Sequence, residues 1–175
     1  MTTAILNRVV IRDEKIEKAI LVSFFVMATA FGAQVKVPLP FTPVPLTLQT
    51  FFVLLSGALL GKKFGGVSQF LYFLLGGFGL PFFTGAGAMW GPTGGYIVGF
   101  IVASWLVGFL LEKGCRVFYA MVLGDFVLLL CGVINLSFFV GGFVNAIVLG
   151  VFPFLIGDLL KIVVAVKITK VLTPV

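Results

Sequence analysis

The chain has 175 residues, of which 61% are hydrophobic and 10% charged, with a net charge of +6 and a mean hydropathy of +1.24; soluble domains carry charge on about a quarter of their residues. Such a composition predicts an integral membrane protein and leaves no room for an appended soluble catalytic domain. Histidine is absent and the two cysteines, Cys115 and Cys131, lie in apolar surroundings, so no zinc-type metal site, no Ser/His or Cys/His catalytic pair and no disulfide framework is expected. No catalytic residue and no cofactor is assigned. The twelve basic residues occur in ones and twos, a distribution that follows membrane topology and not a nucleic-acid surface.

Residues 1–18 are polar, with Arg8, Arg12, Asp13, Glu14, Lys15, Glu17 and Lys18, and read as a cytoplasmic segment; a cleavable signal peptide is not expected. The apolar run 19–35 predicts the first helix, stopped by Lys36 and by Pro38, Pro40, Pro43 and Pro45, which no helix interior tolerates. Runs 46–61 and 64–80 predict two short helices joined by the basic turn Gly61-Lys62-Lys63, the second closing at Gly79-Leu80-Pro81. Residues 82–95 (FFTGAGAMWGPTGG) form an uncharged Gly-rich loop. Runs 96–111 and 117–134 supply the fourth and fifth helices, separated by Glu112, Lys113 and Arg116. Residues 135–150, interrupted by Asn135, Gly141, Gly142 and Asn145, read as a loop with a short re-entrant or surface helix. The sixth crossing then starts at Pro153, a favoured first helical residue, and runs to 171, leaving 172–175 as a tail.

The expected architecture is thus an all-α membrane domain of six helices over 19–171. Arg8, Arg12, Lys15, Lys18, Lys62, Lys63, Lys113, Arg116, Lys167 and Lys170 fall on one side, Lys36 alone on the other, and Lys161 inside a helix. By the positive-inside rule both termini are cytoplasmic. The proline loop, the Gly-rich loop and segment 135–150 then share the outer side, as in a small binding protein that opens outward. No repeat aligns the halves 19–80 and 96–171, which argues against an alternating-access carrier.

Asp125 and Asp158 are the only acids in the predicted crossings and Lys161 the only base. A charge at mid-bilayer costs about 2.5–3.5 kcal/mol on insertion scales, so such residues face a partner or a wet cavity. Asp158 and Lys161, at i and i+3, share one helical face beside Gly157, and a functional pair is favoured over a structural ion pair. Asp125 has no basic residue three or four positions away and reads as a packing residue. The turn from Gly57 to Lys63 approximates a phosphate loop, but only three residues separate its glycines and no Ser or Thr follows the lysine, so it is not an ATP site. Thr93, Gly94, Gly95 and Tyr96, at the outer start of helix four, offer backbone amides, a hydroxyl and an aromatic ring to a small polar ligand. Gln49, at the start of helix two, either lines a pocket or is satisfied by a neighbouring helix. Ala28, Thr29, Gly32 and Ala33 give helix one a small-residue face, suited equally to internal packing and to docking a partner subunit.

Taken in order, PVPLTLQT (43–50) running into VLLSGALLG (53–61), GLP (79–81) before the Gly-rich loop, GPTGGYIVGF (91–100) and GVFPFLIGDLLK (150–161) resemble the BioY family, the biotin-binding S components of energy-coupling factor (ECF) transporters. The resemblance covers about residues 20–170. It implies a six-helix S-component fold in the cytoplasmic membrane of a prokaryote, capture of biotin from outside, and association with a transmembrane coupling subunit and two ATP-binding subunits. It also implies that Asp158 and Lys161 contact the ligand and that the loop before helix two closes the pocket. Biotin offers two ureido N–H donors, a ureido carbonyl, an apolar thioether ring and a carboxylate tail. Asp158 can accept from the N–H groups, and Lys161 can donate to the carbonyl or pair with the carboxylate. Phe82, Phe83 and Trp90 are placed over the apolar ring, with Tyr96 and Gln49 adding hydrogen bonds. The coupling subunit is assigned to the face of Ala28, Thr29, Gly32 and Ala33. Two departures stand out: the loop GAGAMWG (85–91) lacks the basic residue that many relatives carry there, and helix one has no plain Ala-xxx-Ala pair. A competing expectation is a self-sufficient secondary transporter in which Asp158 and Lys161 exchange a proton; an intramembrane enzyme would lack a nucleophile–base pair.

Overall fold

The computed structural model describes residues 14–85 and 87–173; most of the polar N-terminal segment, including Arg8, Arg12 and Asp13, then Ala86 of the Gly-rich loop and the last two residues of the tail lie outside the described residues. In chain order the elements are α1 (Glu14–Gln34), β1 (Lys36–Val37), β2 (Leu46–Thr47), α2 (Gln49–Gly77), α3 (Gly94–Glu112), α4 (Val117–Leu136), α5 (Phe143–Gly150) and α6 (Leu155–Leu172). Residues 14–18 are already helical: Lys18 reaches back to Glu14, 2.5 Å away at i,i+4, so these polar residues belong to α1 instead of preceding it. The helices α1, α3 and α4 are each long and apolar enough to cross a membrane, α2 reaches that length only as one merged run of 29 residues, and α5 and α6 meet at 53° as a broken span or re-entrant pair. That bend is where segment 135–150 was expected to re-enter.

The 29 residues of α2 are not one rod. Gly61 sits at φ 73°, ψ 177°, a conformation glycine reaches without steric cost. The chain reverses there: Gln49 Nε2 donates to Tyr72 Oη across 2.6 Å, although 23 residues of straight helix would hold them ~35 Å apart. The arms 49–60 and 62–77 are therefore the expected second and third helices, folded antiparallel on each other. A Cβ on Gly65 would lie 2.9 Å from Gly57 Cα, so the arms meet backbone to backbone, as small residues permit in lipid.

A neutral polar cluster holds this contact. The fully buried Gln69 directs Nε2 to Ser56 Oγ (3.1 Å), Thr29 Oγ1 (3.3 Å) and Ser68 Oγ (3.3 Å). Ser56 and Ser104 hydroxyls lie 2.9 Å apart. Two arms of α2, α1 and α3 are thereby tied at one level. The α3–α4 interface is tight for the same reason, Gly95 and Gly99 facing the α4 backbone at Cys131 and Leu128.

Ion pairs and ring contacts sort the ends of the bundle. Lys18 lies over the Phe64 ring and Lys62 pairs with Glu112 at 2.7 Å, which puts the start of α1, the 61–64 turn and the end of α3 together. At the opposite end Gln34 Nε2 donates to Pro81 O (3.1 Å) and Asn135 Nδ2 to Gly91 O (3.0 Å), which gathers the three uncharged loops. Apolar residues split likewise, one core under the loops around Tyr72, Tyr96, Phe100 and Phe154 and another near the basic end around Phe25, Leu54, Val107 and Ile162.

The small-residue face of α1 is occupied from within. Thr29, Gly32 and Ala33 are buried, Gly32 against the backbone of Leu48 and Gln49, and Ala28 alone of the four is partly exposed. Of the face assigned to a coupling subunit, Thr29 and Gly32 meet this chain's own α2 and its entry, since closeness between helices serves internal packing as readily as docking. The outward stripe of α1 consists of Phe24, Met27 and Phe31.

Candidate ligand-binding pocket

A cavity, its open mouth included in a volume of about 510 Å³, lies under the loops. Its walls come from the β2 strap (Val44, Pro45, Thr47), the start of α2 (Gln49, Thr50), α3 (Tyr96, Ile97, Phe100), α4 (Leu128, Leu129) and the start of α6 (Phe154, Asp158, Lys161), with Thr84 and Thr93 at the rim. Most of this lining is apolar, and the polar groups converge on one side.

That side is built by α6. Asp158 and Lys161 lie one and two turns into the helix, and Lys161 Nζ stands 2.8 Å from Asp158 Oδ1. Thr50 of α2 completes a triangle: its hydroxyl donates to Asp158 Oδ1 (3.2 Å) and accepts from Lys161 (2.9 Å). Asp158 is 3% exposed. In a low-dielectric cavity such charge-assisted bonds are strong, and each carboxylate oxygen accepts more than one; Asp158 Oδ2 has no protein donor in the described hydrogen bonds. Thr50 was not singled out in the sequence, where one hydroxyl in an apolar helix carries no signal of its own.

Tyr96 lines the cavity, its hydroxyl held by donation to Gly150 O at 2.8 Å. Gln49 lines it as well, oriented by Tyr72, whose hydroxyl passes its own proton to Phe82 O at 2.9 Å. Thr93 reaches the rim but spends its hydroxyl on Ala88 O (2.8 Å). The remaining expected contacts are not brought together here. Gly94 and Gly95 serve close packing, against the Met89 carbonyl and against Cys131 and Asn135. Phe83 stands behind the wall, edge-on to Tyr72 with ring centroids 5.4 Å apart. Trp90 is 82% exposed and is not among the residues that line the cavity. The aromatic cover comes instead from Phe100 and Phe154, which lie on helices and are fixed by packing. Asp125, expected as a packing residue, is buried in α4 one turn below Leu128 and Leu129, with Oδ1 unpartnered among the described residues.

A helical membrane bundle whose loops cover a pocket with one buried charged cluster has the layout of a polytopic small-molecule binding protein. The family is given by comparison with known proteins: the sequence pattern of the BioY family matches residues 3–175, and the chain belongs to that family. The probable biotin transporter BioY of Pyrococcus horikoshii is 41% identical over 160 residues, which is 89% of this chain and 96% of the relative. The biotin transporter BioY of Thermotoga maritima is 42% identical over 151 residues, 82% of this chain and 88% of the relative. The fold is that of a crystal structure of the S-component for biotin from an ECF-type ABC transporter, with a TM-score of 0.83, 27% identity, and coverage of 91% of this chain and 92% of that one. The expected membrane S-component fold is therefore observed.

Proposed function

We propose that this chain is the substrate-capture subunit of an ATP-driven vitamin importer, that its ligand is biotin, and that it catalyses no reaction itself. The cluster Asp158–Lys161–Thr50 carries this reading, because it places one charged acceptor and one charged donor on a single wall of a cavity whose other lining residues are uncharged. Asp158 accepts from the ureido N–H groups and Lys161 donates to the ureido carbonyl, while Phe100, Phe154 and Leu128 enclose the thioether ring. The names of the relatives and of the structural neighbour support the choice of biotin over other ring ligands.

The loop end faces outward in this reading and the basic end faces the cytoplasm, with Lys18, Lys62, Lys63, Lys113 and Arg116 inside and Lys36 outside, in the cytoplasmic membrane of a prokaryote. A transmembrane coupling subunit and two ATP-binding subunits supply the energy, since no nucleotide loop is present in this sequence. Titration of ligand-stripped protein with biotin in a calorimeter, with riboflavin and thiamine as controls, tests the proposal. Stoichiometric binding of biotin alone is expected; a folded sample that binds none of the three would refute it. Uptake into vesicles lacking partner ATPases would instead favour a self-sufficient carrier.

A further inference from the structure

Above the pocket a second concavity of about 800 Å³, open to solvent, lies between the strap and the Gly-rich loop, lined by Lys36, Pro38, Thr42, Thr84 and Gly91 among others. Pro45, Thr84 and Thr93 line both spaces, so the two adjoin across these residues. No charged residue occurs in 37–61, 78–111 or 137–157. Lys36 is therefore the single formal charge among the described residues of the loop end.

Its position is fixed. Lys36 pairs with Thr47 in the β1–β2 ladder, Thr47 lines the deep pocket, and the ammonium donates to the carbonyl of Thr84, which lines both spaces. That carbonyl is neutral, so the positive charge of Lys36 has no acid to compensate it. The charges below are already matched, Lys161 lying 2.8 Å from Asp158. A carboxylate brought down to that pair would meet the negative charge of Asp158, whereas one left in the upper space meets an unmatched cation.

We infer that Lys36 binds the carboxylate of the ligand and so fixes its orientation, polar ring down against Asp158 and acidic tail up in the strap–loop space. This rests on the biotin reading above. The cation that the Gly-rich loop lacks is then supplied by the strap, from the other side of the same opening. The sequence drew no role from Lys36 beyond topology, because only the fold shows that β1 lies across from Thr84.

The test compares biotin with biotinamide, which keeps the ring system and replaces the charged tail by a neutral one. Calorimetric titration of both into the intact protein, Lys36→Met, Lys36→Arg and Lys161→Met reads out tail recognition separately from pocket integrity. Lys36→Met is expected to weaken biotin about tenfold with biotinamide unchanged, and Lys36→Arg to restore the preference for the acid. Equal weakening of both ligands by Lys36→Met would overturn the inference and make Lys36 a strap residue only. So would an unchanged biotin affinity, or loss of the acid-over-amide preference in Lys161→Met instead. Unsubstituted protein that binds neither ligand would overturn the biotin reading itself, a failure distinct from these.

Discussion

The bundle contains two buried polar clusters, and they differ in charge and in access. Near its middle Gln69, Ser56, Ser68, Ser104 and Thr29 are neutral, fully enclosed and bonded to one another across three helices. Under the loops Asp158, Lys161 and Thr50 are charged and border a cavity. In lipid both satisfy polar groups that water cannot reach. Only the second leaves acceptor capacity facing open space, and that leftover capacity separates a binding site from an internal clasp.

The contrast is broken most severely by Gly65→Val, which inserts a branched side chain where the α2 arms touch. Destabilisation of ~3 kcal/mol or more is expected, seen as loss of the monodisperse peak in size-exclusion chromatography. Next in size, Asp158→Asn should weaken biotin binding by ~1.5–3 kcal/mol, the worth of a hydrogen bond to a charged group, in calorimetric titration. Unchanged affinity with lowered thermal stability would place Asp158 in the structural class beside Gln69. The smallest effect belongs to Gln69→Leu, ~1 kcal/mol in thermal unfolding with biotin affinity unaltered, because only the Nε2 bonds are lost, Oε1 being unpartnered among the described residues.

The order and ends of the helices were legible because proline, paired lysines and glycine punctuate apolar runs: Gly61-Lys62-Lys63 marked the reversal of α2, and Pro153 fell two residues before α6. Asp158 and Lys161 were legible because an ionisable residue in an apolar helix is expensive. Gln69 and Thr50 were not singled out, since neutral side chains in apolar runs impose no such cost. That Trp90 and Phe83 do not line the cavity and that Thr29, Gly32 and Ala33 are buried was not legible, for one reason. Their residue types state what they can pack against, and only the fold states from which side. The helical state of residues 14–18 was missed because apolar content marks the membrane and not the helix.

The reversal at Gly61 also bears on the surrounding lipid. Its arms, 49–60 and 62–77, hold 12 and 16 residues and rise only ~18 Å and ~24 Å, against a hydrocarbon layer ~30 Å thick. A bilayer accommodates so short a hairpin by thinning, by flanking residues reaching to the interface or by association, each at a fraction of a kcal/mol per ångström of mismatch. Acyl-chain length is therefore expected to bear on the stability of this hairpin alongside temperature and ligand.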